Sequence, residues 1–311
     1  LFIIPYSIIK DITTFALMYY RRKIILSLLQ LFDNELEKLA FQKLLFLFSQ
    51  RKQKPAYEFV PFQYGCYSFS AQADVLTMCQ QQLLQDKDHK IYKLDRTNYI
   101  DTLKVDDMKM LLELKQVYGK MQTQALVKHT YIHYPYYAIN SSIAEKILNH
   151  QQVQKVVASK PAKKETVLFT IGYEGISLEA YLNKLILNDV KLLIDVRRNP
   201  ISMKYGFSKR TLKKFCESLG IQYLHIPEVG IASEQRQVLN SQKDYDLLFL
   251  NYQKNTLSET ALQQAQILNL LQEHQRVALT CFESNICQCH RKPLAESISM
   301  NPLFKYKIEH I

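Results

Sequence analysis

Beyond residue 166 the chain alternates short apolar runs with amphipathic stretches, and this alternation most narrowly limits the fold. Runs at 167–171, 191–195, 222–224, 276–281 and 305–309 read as strands, and helical spacing covers 177–187, 208–218, 241–253, 258–274 and 291–299. Such an order predicts a mainly parallel α/β sheet with right-handed crossovers. Ligands of open parallel sheets bind beyond the carboxyl ends of the strands. Two predicted strands end there in chemically loaded loops. One runs Leu192-Leu193-Ile194-Asp195-Val196-Arg197-Arg198-Asn199-Pro200. The other runs Val277-Ala278-Leu279-Thr280-Cys281-Phe282-Glu283 and continues through Cys287, Cys289, His290 and Arg291. Both loops at one sheet edge would gather carboxylates, guanidiniums and thiols into a single cleft.

The first half has a different character. Apolar residues at helical spacing from Arg22 to Gln50 predict two amphipathic helices, with Pro55 stopping the second. Residues 57–62 alternate like a strand before a turn at Gly65, and helices are expected at about 70–84, 106–120, 123–131 and 141–149. Segment 151–166 is polar and basic, contains Pro161, and reads as an interdomain linker. The expected organisation is a mostly α-helical (α+β) domain over 18–150, the linker over 151–166, and an α/β domain over 167–311.

Of the formal net charge of +11, most lies before the second domain, which suits an acidic partner such as nucleic acid or a nucleotide. A merely solvated basic surface is the competing reading. Six cysteines in 311 residues do not make a secreted disulfide framework. Three of them fall between Cys281 and Cys289, which indicates thiol or metal chemistry in a reducing, cytoplasmic setting. Leu1-Phe2-Ile3-Ile4-Pro5 is apolar, but Lys10 and Asp11 interrupt it well short of the roughly 20 residues of a membrane span. It also lacks the basic segment that precedes a signal peptide's apolar core. No membrane partner is expected, and Met18 is expected as the natural start.

Two resemblances sharpen the division. Phe41-Gln42-Lys43-Leu44-Leu45-Phe46-Leu47, Phe59 through Phe69 and Tyr131-Ile132-His133-Tyr134-Pro135-Tyr136-Tyr137-Ala138 with Ser141 resemble the SocA-like (Panacea) domain. Cys66 stands where that family commonly has Pro. The resemblance implies a binding and regulatory module without catalysis, in a toxin–antitoxin or phage-defence setting. The first domain's many Tyr and Phe residues are expected in core and interface rather than as base-stacking platforms. The second domain resembles the family catalogued as domain of unknown function 488. Thr170-Ile171-Gly172-Tyr173-Glu174-Gly175, Ile194-Asp195-Val196-Arg197 with Pro200 and Ser202, Phe207-Ser208, Tyr223-Leu224-His225-Ile226-Pro227, and Cys281-Phe282-Glu283 with Cys289-His290-Arg291 carry it in order. One departure is Glu228-Val229-Gly230-Ile231, where that family usually shows Leu-Gly-Gly. This resemblance implies a site and leaves the reaction and any cofactor unspecified.

The chemistry of the site is argued from residue types. Arg197 and Arg198 suit a guanidinium fork for phosphate or carboxylate, unless Asp195 pairs with one of them and only fixes the loop. Arg291 opens a helix, where a cation opposes the dipole and so implies an adjacent anion. Cys289, beside His290 and Arg291 at that helix start, is expected to have a lowered pKa and serve as a nucleophile. Glu283 or Glu174 suits a general acid/base, with Tyr173 and Glu174 reaching the same mouth. The expected catalytic set is thus Cys289, His290, Glu283 and Asp195, and the expected substrate contacts are Arg197, Arg198, Arg291, Tyr173 and Glu174. Cys281, Cys287, Cys289 and His290 supply four soft ligands, but C-x5-C-x-C-H lacks paired C-x2-C spacing, so no metal is expected.

A rhodanese-like sulfurtransferase shares the Asp-Val-Arg strand end and a strand–Cys–loop–helix. Its Arg should follow the Cys by five positions, where Ile286 and Lys292 stand here. The protein-phosphatase spacing of six places Cys287 at the Arg position and is rejected. The leading expectation is an enzyme acting on an anionic nucleotide or nucleic-acid substrate. Sulfur transfer and a non-catalytic nucleic-acid or protein-binding regulator are the alternatives.

Overall fold

The computed structural model describes residues 18–232, 239 and 241–311. Residues 1–17 lie outside the described residues, which begin at Met18, the expected start. The chain divides into two compact units, Leu1–Ser159 and Lys160–Ile311.

In the first unit, α1 (Tyr20–Leu31) and α2 (Lys38–Ser49) occupy the span expected for two helices. Every residue of α2 from Ala40 to Ser49 is buried, because its sequence is apolar on nearly all sides. Helices α3 (Phe69–Gln80), α4 (Val105–Tyr118) and α5 (Thr123–His133) follow, then a single turn α6 (Ala144–Ile147). Phe46 of α2 meets Phe59, Tyr134 and Tyr137 edge to face, so these aromatics are core. Buried Asp74 accepts from Arg22 and Tyr57 at 2.8 Å each and pairs with Arg21 at 2.6 Å, which fastens α1 to α3.

Three local expectations need correction. The strand expected over 57–62 is only β2 (Val60–Phe62), paired with β3 (Gly65–Tyr67). Pro61 has no N–H to extend that ladder. A three-stranded antiparallel sheet of β1 (Glu35–Glu37), β4 (Leu84–Lys87) and β5 (Lys90–Lys93), in the order β1-β5-β4, was not anticipated. Its strands are too polar to announce themselves. The β4–β5 turn rests on Asp88 and His89, both at left-handed φ (51° and 61°), as a two-residue hairpin requires. Finally, much of the expected linker is helix α7 (His150–Ala158), whose start is fixed by a capping box between Asn149 and Gln152.

The second unit follows the predicted alternation closely. Strands β6 (Val167–Gly172), β7 (Leu192–Asp195), β8 (Gln222–His225), β9 (Arg276–Cys281) and β10 (Lys307–His310) form one sheet in the order β10-β6-β9-β7-β8. Every neighbouring pair is parallel, which makes the unit α/β. Helices α8 (Leu178–Leu187), α9 (Lys209–Ser218), α10 (Gln242–Tyr252), α11 (Ala261–His274) and α12 (Arg291–Ser299) connect them. One face packs Leu168, Leu192, Ile194, Val277 and Leu279 against Ile267, Leu268 and Leu271 of α11 and Leu294, Ala295 and Ile298 of α12. On the other face Tyr181 of α8 donates to Thr280 Oγ1 at 2.8 Å. The chain leaves β7 toward β8 on one side and β9 toward β10 on the other. The crevice between adjacent β9 and β7 is therefore the switch point at which such sheets hold ligands.

Gly65 carries a testable consequence for the first unit. Its φ is +89°, and an added Cβ would stand 2.4 Å from Tyr131 Cε1. Gly65→Ala should lower the unfolding free energy by about 1–3 kcal/mol in chemical denaturation, from left-handed strain and the displaced ring.

Candidate functional site at the carboxyl edge of the sheet

The last residue of β7 anchors the first cluster. Asp195 is fully buried, and its Oδ1 accepts from the backbone N (3.1 Å) and Nε (2.8 Å) of Arg197. Its Oδ2 accepts from Arg197 Nη2 (2.5 Å) and the Tyr223 hydroxyl (2.6 Å). Arg197 Nη1 donates to Tyr173 Oη (2.7 Å) and the Phe207 carbonyl (2.8 Å). Burial opposes the Arg197 charge, but the bonds and field of Asp195 more than offset it and hold the guanidinium protonated. Burial, then Asp195, pushes the Tyr223 phenol up, so it remains a donor. Tyr173 stacks on Phe207 at 4.2 Å and meets Phe282 edge to face. Arg197 thus ties three segments together, with its guanidinium bonded to Asp195, Tyr173 and Phe207 while it also lines the adjoining pocket.

The second cluster joins the end of β9 to the start of α12. Glu283 Oε2 accepts from the thiols of Cys281 and Cys289, each at 3.1 Å. His290 Nδ1 lies 3.6 Å from Cys281 Sγ. On the other edge of the ring, Nε2 is 3.1 Å from the Val196 carbonyl, which can only accept. Nε2 therefore carries the proton, and the Nδ1 lone pair faces the sulfurs. The four donor atoms of Cys281, Glu283, Cys289 and His290 lie within 4.8 Å of one another. Arg291 is 1% exposed, and its Nη2 donates to the Glu283 carbonyl at 2.9 Å.

The expected activation of Cys289 is reversed. Burial, then neighbouring Cys281, pushes its thiol well above the ordinary range, against the lowering pull of Arg291. Arg291, expected at the substrate, is buried and bonded to the Glu283 carbonyl. Cys287 is exposed and stands apart from the cluster. Glu174 is exposed and accepts from the backbone N and hydroxyl of Ser284, so it pins the second loop.

Between these clusters lies a pocket of about 320 Å³, whose lining includes Tyr173, Arg197, Arg198, Asn199, Ser202 and Cys281. Arg198 is exposed, with one long contact of 3.4 Å from Nη1 to the Pro227 carbonyl. The expected single cleft therefore resolves into an ion-pair knot and a sulfur–histidine cluster, with Cys281 and Arg197 sharing the pocket. The altered loop reaches the pocket through Ile231. A Cβ on Gly230 would stand 2.4 Å from Arg198 N, so the close approach there is to backbone, and Ile231 lines the pocket. Sequence reasoning missed Tyr223 and His225 as site residues, although both lie in a quoted motif. His225 Nε2 donates to the Arg197 carbonyl (2.9 Å), and its Nδ1 accepts from Lys209 Nζ (2.9 Å). A tyrosine and a histidine ending a strand beside Asp195 were the available signal.

The family model described as "Domain of unknown function DUF488" matches residues 177–298. The match spans both loops of the site and supports the resemblance seen in the second half of the chain. No curated protein matches the chain.

Two measurements follow. Asp195→Ala leaves the Arg197 charge buried and should cost about 3–5 kcal/mol in chemical denaturation, whereas exposed Arg198→Ala should stay within about 0.5 kcal/mol. In native protein at about pH 8.5, iodoacetamide should label Cys287 roughly tenfold or more faster than Cys281 or Cys289, read by peptide mass spectrometry. Preferential labelling of Cys289 would restore it as an activated nucleophile.

Proposed function

We propose that the second unit binds an anionic nucleotide or nucleic-acid substrate in the pocket at the carboxyl ends of β6, β7 and β9. One observation carries this reading. At the pocket mouth the exposed guanidinium of Arg198 stands among exposed apolar side chains of Ile201, Met203 and Phe282. A guanidinium matches phosphate oxygens, and an exposed aromatic ring offers a face to a base. Lys209 and Arg210, exposed in the first turn of α9, add positive charge next to the same loop, since Lys209 N donates to the Pro200 carbonyl at 2.9 Å. In this reading Arg198 contacts the substrate, while Asp195, Arg197 and Tyr173 hold its loop in place.

Sulfur transfer at Cys281 is less well supported. A persulfide needs donors around it, whereas the Cys281 thiol donates to the Glu283 carboxylate, an acceptor, at 3.1 Å. Among the described residues no helix is long and apolar enough to cross a membrane, and the proposed setting is cytoplasmic. For the first unit, the SocA-like resemblance supports a binding and regulatory module in phage defence or a toxin–antitoxin pair. Gln42, Lys43, Gly65, Cys66 and Tyr67 of the resembling motifs line a common pocket of about 480 Å³. Lys43 donates to the Cys66 carbonyl at 2.9 Å, and burial draws its pKa down.

Fluorescence anisotropy with a labelled single-stranded oligonucleotide tests the assignment. Arg198→Ala should weaken binding roughly tenfold, as loss of a charged hydrogen bond implies, and should reduce the log–log salt slope by about 0.7. Equal affinity in the variant, or binding flat in salt, removes Arg198 and the pocket from this role.

A further inference from the structure

We propose that Cys281, Glu283, Cys289 and His290 form a binding site for one thiophilic divalent cation, zinc by donor chemistry. This goes beyond the substrate pocket and does not depend on it. Two sulfurs, an imidazole nitrogen and a carboxylate oxygen suit zinc, whereas calcium and magnesium prefer all-oxygen sets. Sequence spacing concealed the set because Glu283, not Cys287, is its fourth member.

Geometry supports the assignment first. Ligands at about 2.0–2.3 Å in a tetrahedron stand roughly 3.3–3.8 Å apart. The 3.6 Å from Cys281 Sγ to His290 Nδ1 already has that value, and the two 3.1 Å sulfur–oxygen distances need to open by only a few tenths of an ångström. Orientation supports it next. His290 donates Nε2–H to a backbone carbonyl and turns its Nδ1 lone pair toward the sulfurs, the outer-shell arrangement that fixes a metal-binding histidine.

Charge is the third argument. On binding, each thiol releases its proton to solvent, so two thiolates, one carboxylate and a divalent cation leave a net charge of −1. Arg291, buried beside the cluster, supplies the balancing cation. Among the described residues its Nε and Nη1 find no hydrogen-bond partner, and a buried guanidinium in that state is costly without a negative centre nearby. The ion would clip the end of β9 to the start of α12. Through the His290–Val196 bond it would also steady the loop that carries Arg197 and Arg198.

The test uses the full chain, reduced, stripped with a chelator and titrated with Co²⁺, with no nucleotide present. Tetrahedral cobalt absorption with a thiolate charge-transfer band, saturating at about one equivalent and displaced by Zn²⁺, is the expected result. Cys287→Ser should leave the spectrum unchanged, and Cys289→Ser should remove roughly half of the charge-transfer intensity. If wild-type protein, folded by circular dichroism, gives no thiolate band, or if Cys287→Ser abolishes it, the site is wrong. That pair decides the matter even if Cys289→Ser does not fold. Loss of the metal signal with oligonucleotide binding retained would overturn this inference alone.

Discussion

The carboxyl edge of the second unit depends on the buried pair of Asp195 and Arg197. A carboxylate with no exposure at a strand end is costly unless its lone pairs are satisfied, and here four donors converge on it. The arrangement does more than neutralise charge. Arg197 spans from β7 to Tyr173 after β6 and to Phe207 before α9, so one guanidinium sets the spacing of three segments. Arg198 is turned outward because its neighbour is turned in. The same backbone that buries one cation therefore presents the next to solvent at the pocket mouth.

His290 couples the two clusters. Its ring lies between the Cys281 thiol and the Val196 carbonyl and also meets Tyr252 of α10 edge to face at 5.7 Å. Tyr252 in turn donates to the Val229 carbonyl at 2.5 Å, in the loop whose Ile231 lines the pocket. A continuous set of buried contacts thus joins the sulfur cluster to the Val196 loop on one side and, through Tyr252, to the Val229 loop on the other.

The architecture of the second unit was legible because burial there is nearly complete. Strands β6, β7 and β9 are covered on both faces, so they are continuous apolar runs, and their helices keep one apolar side. The first unit was less legible for the complementary reason. Strands β4 and β5 bury only alternate or single side chains, and Gln85 to Lys90 contain no apolar residue. Helix α7 buries only Val156, so its start is declared by capping chemistry and not by periodicity. Segment 151–166 reads as a linker by composition because the capping residue, Asn149, lies before it.

At the site, the loops were visible but the partners within them were not. Arg197 and Arg198 are adjacent and chemically identical, and only the direction of each side chain separates a buried tether from an exposed guanidinium. Direction is fixed by Tyr173, Phe207 and Tyr223, which lie 10 to 26 residues away along the chain. The cysteines show the same limit. Cys289, beside His290 and Arg291, reads as an activated thiol when only sequence neighbours are counted. The fold adds a Glu283 carboxylate and a second thiol at hydrogen-bonding distance and removes water, and each change favours the protonated sulfur. A thiol pair held protonated by a carboxylate resists attack on a substrate, but a divalent cation can replace both protons at once. The features that disqualify Cys289 as a free nucleophile are thus the ones that make the cluster a fitting metal ligand set.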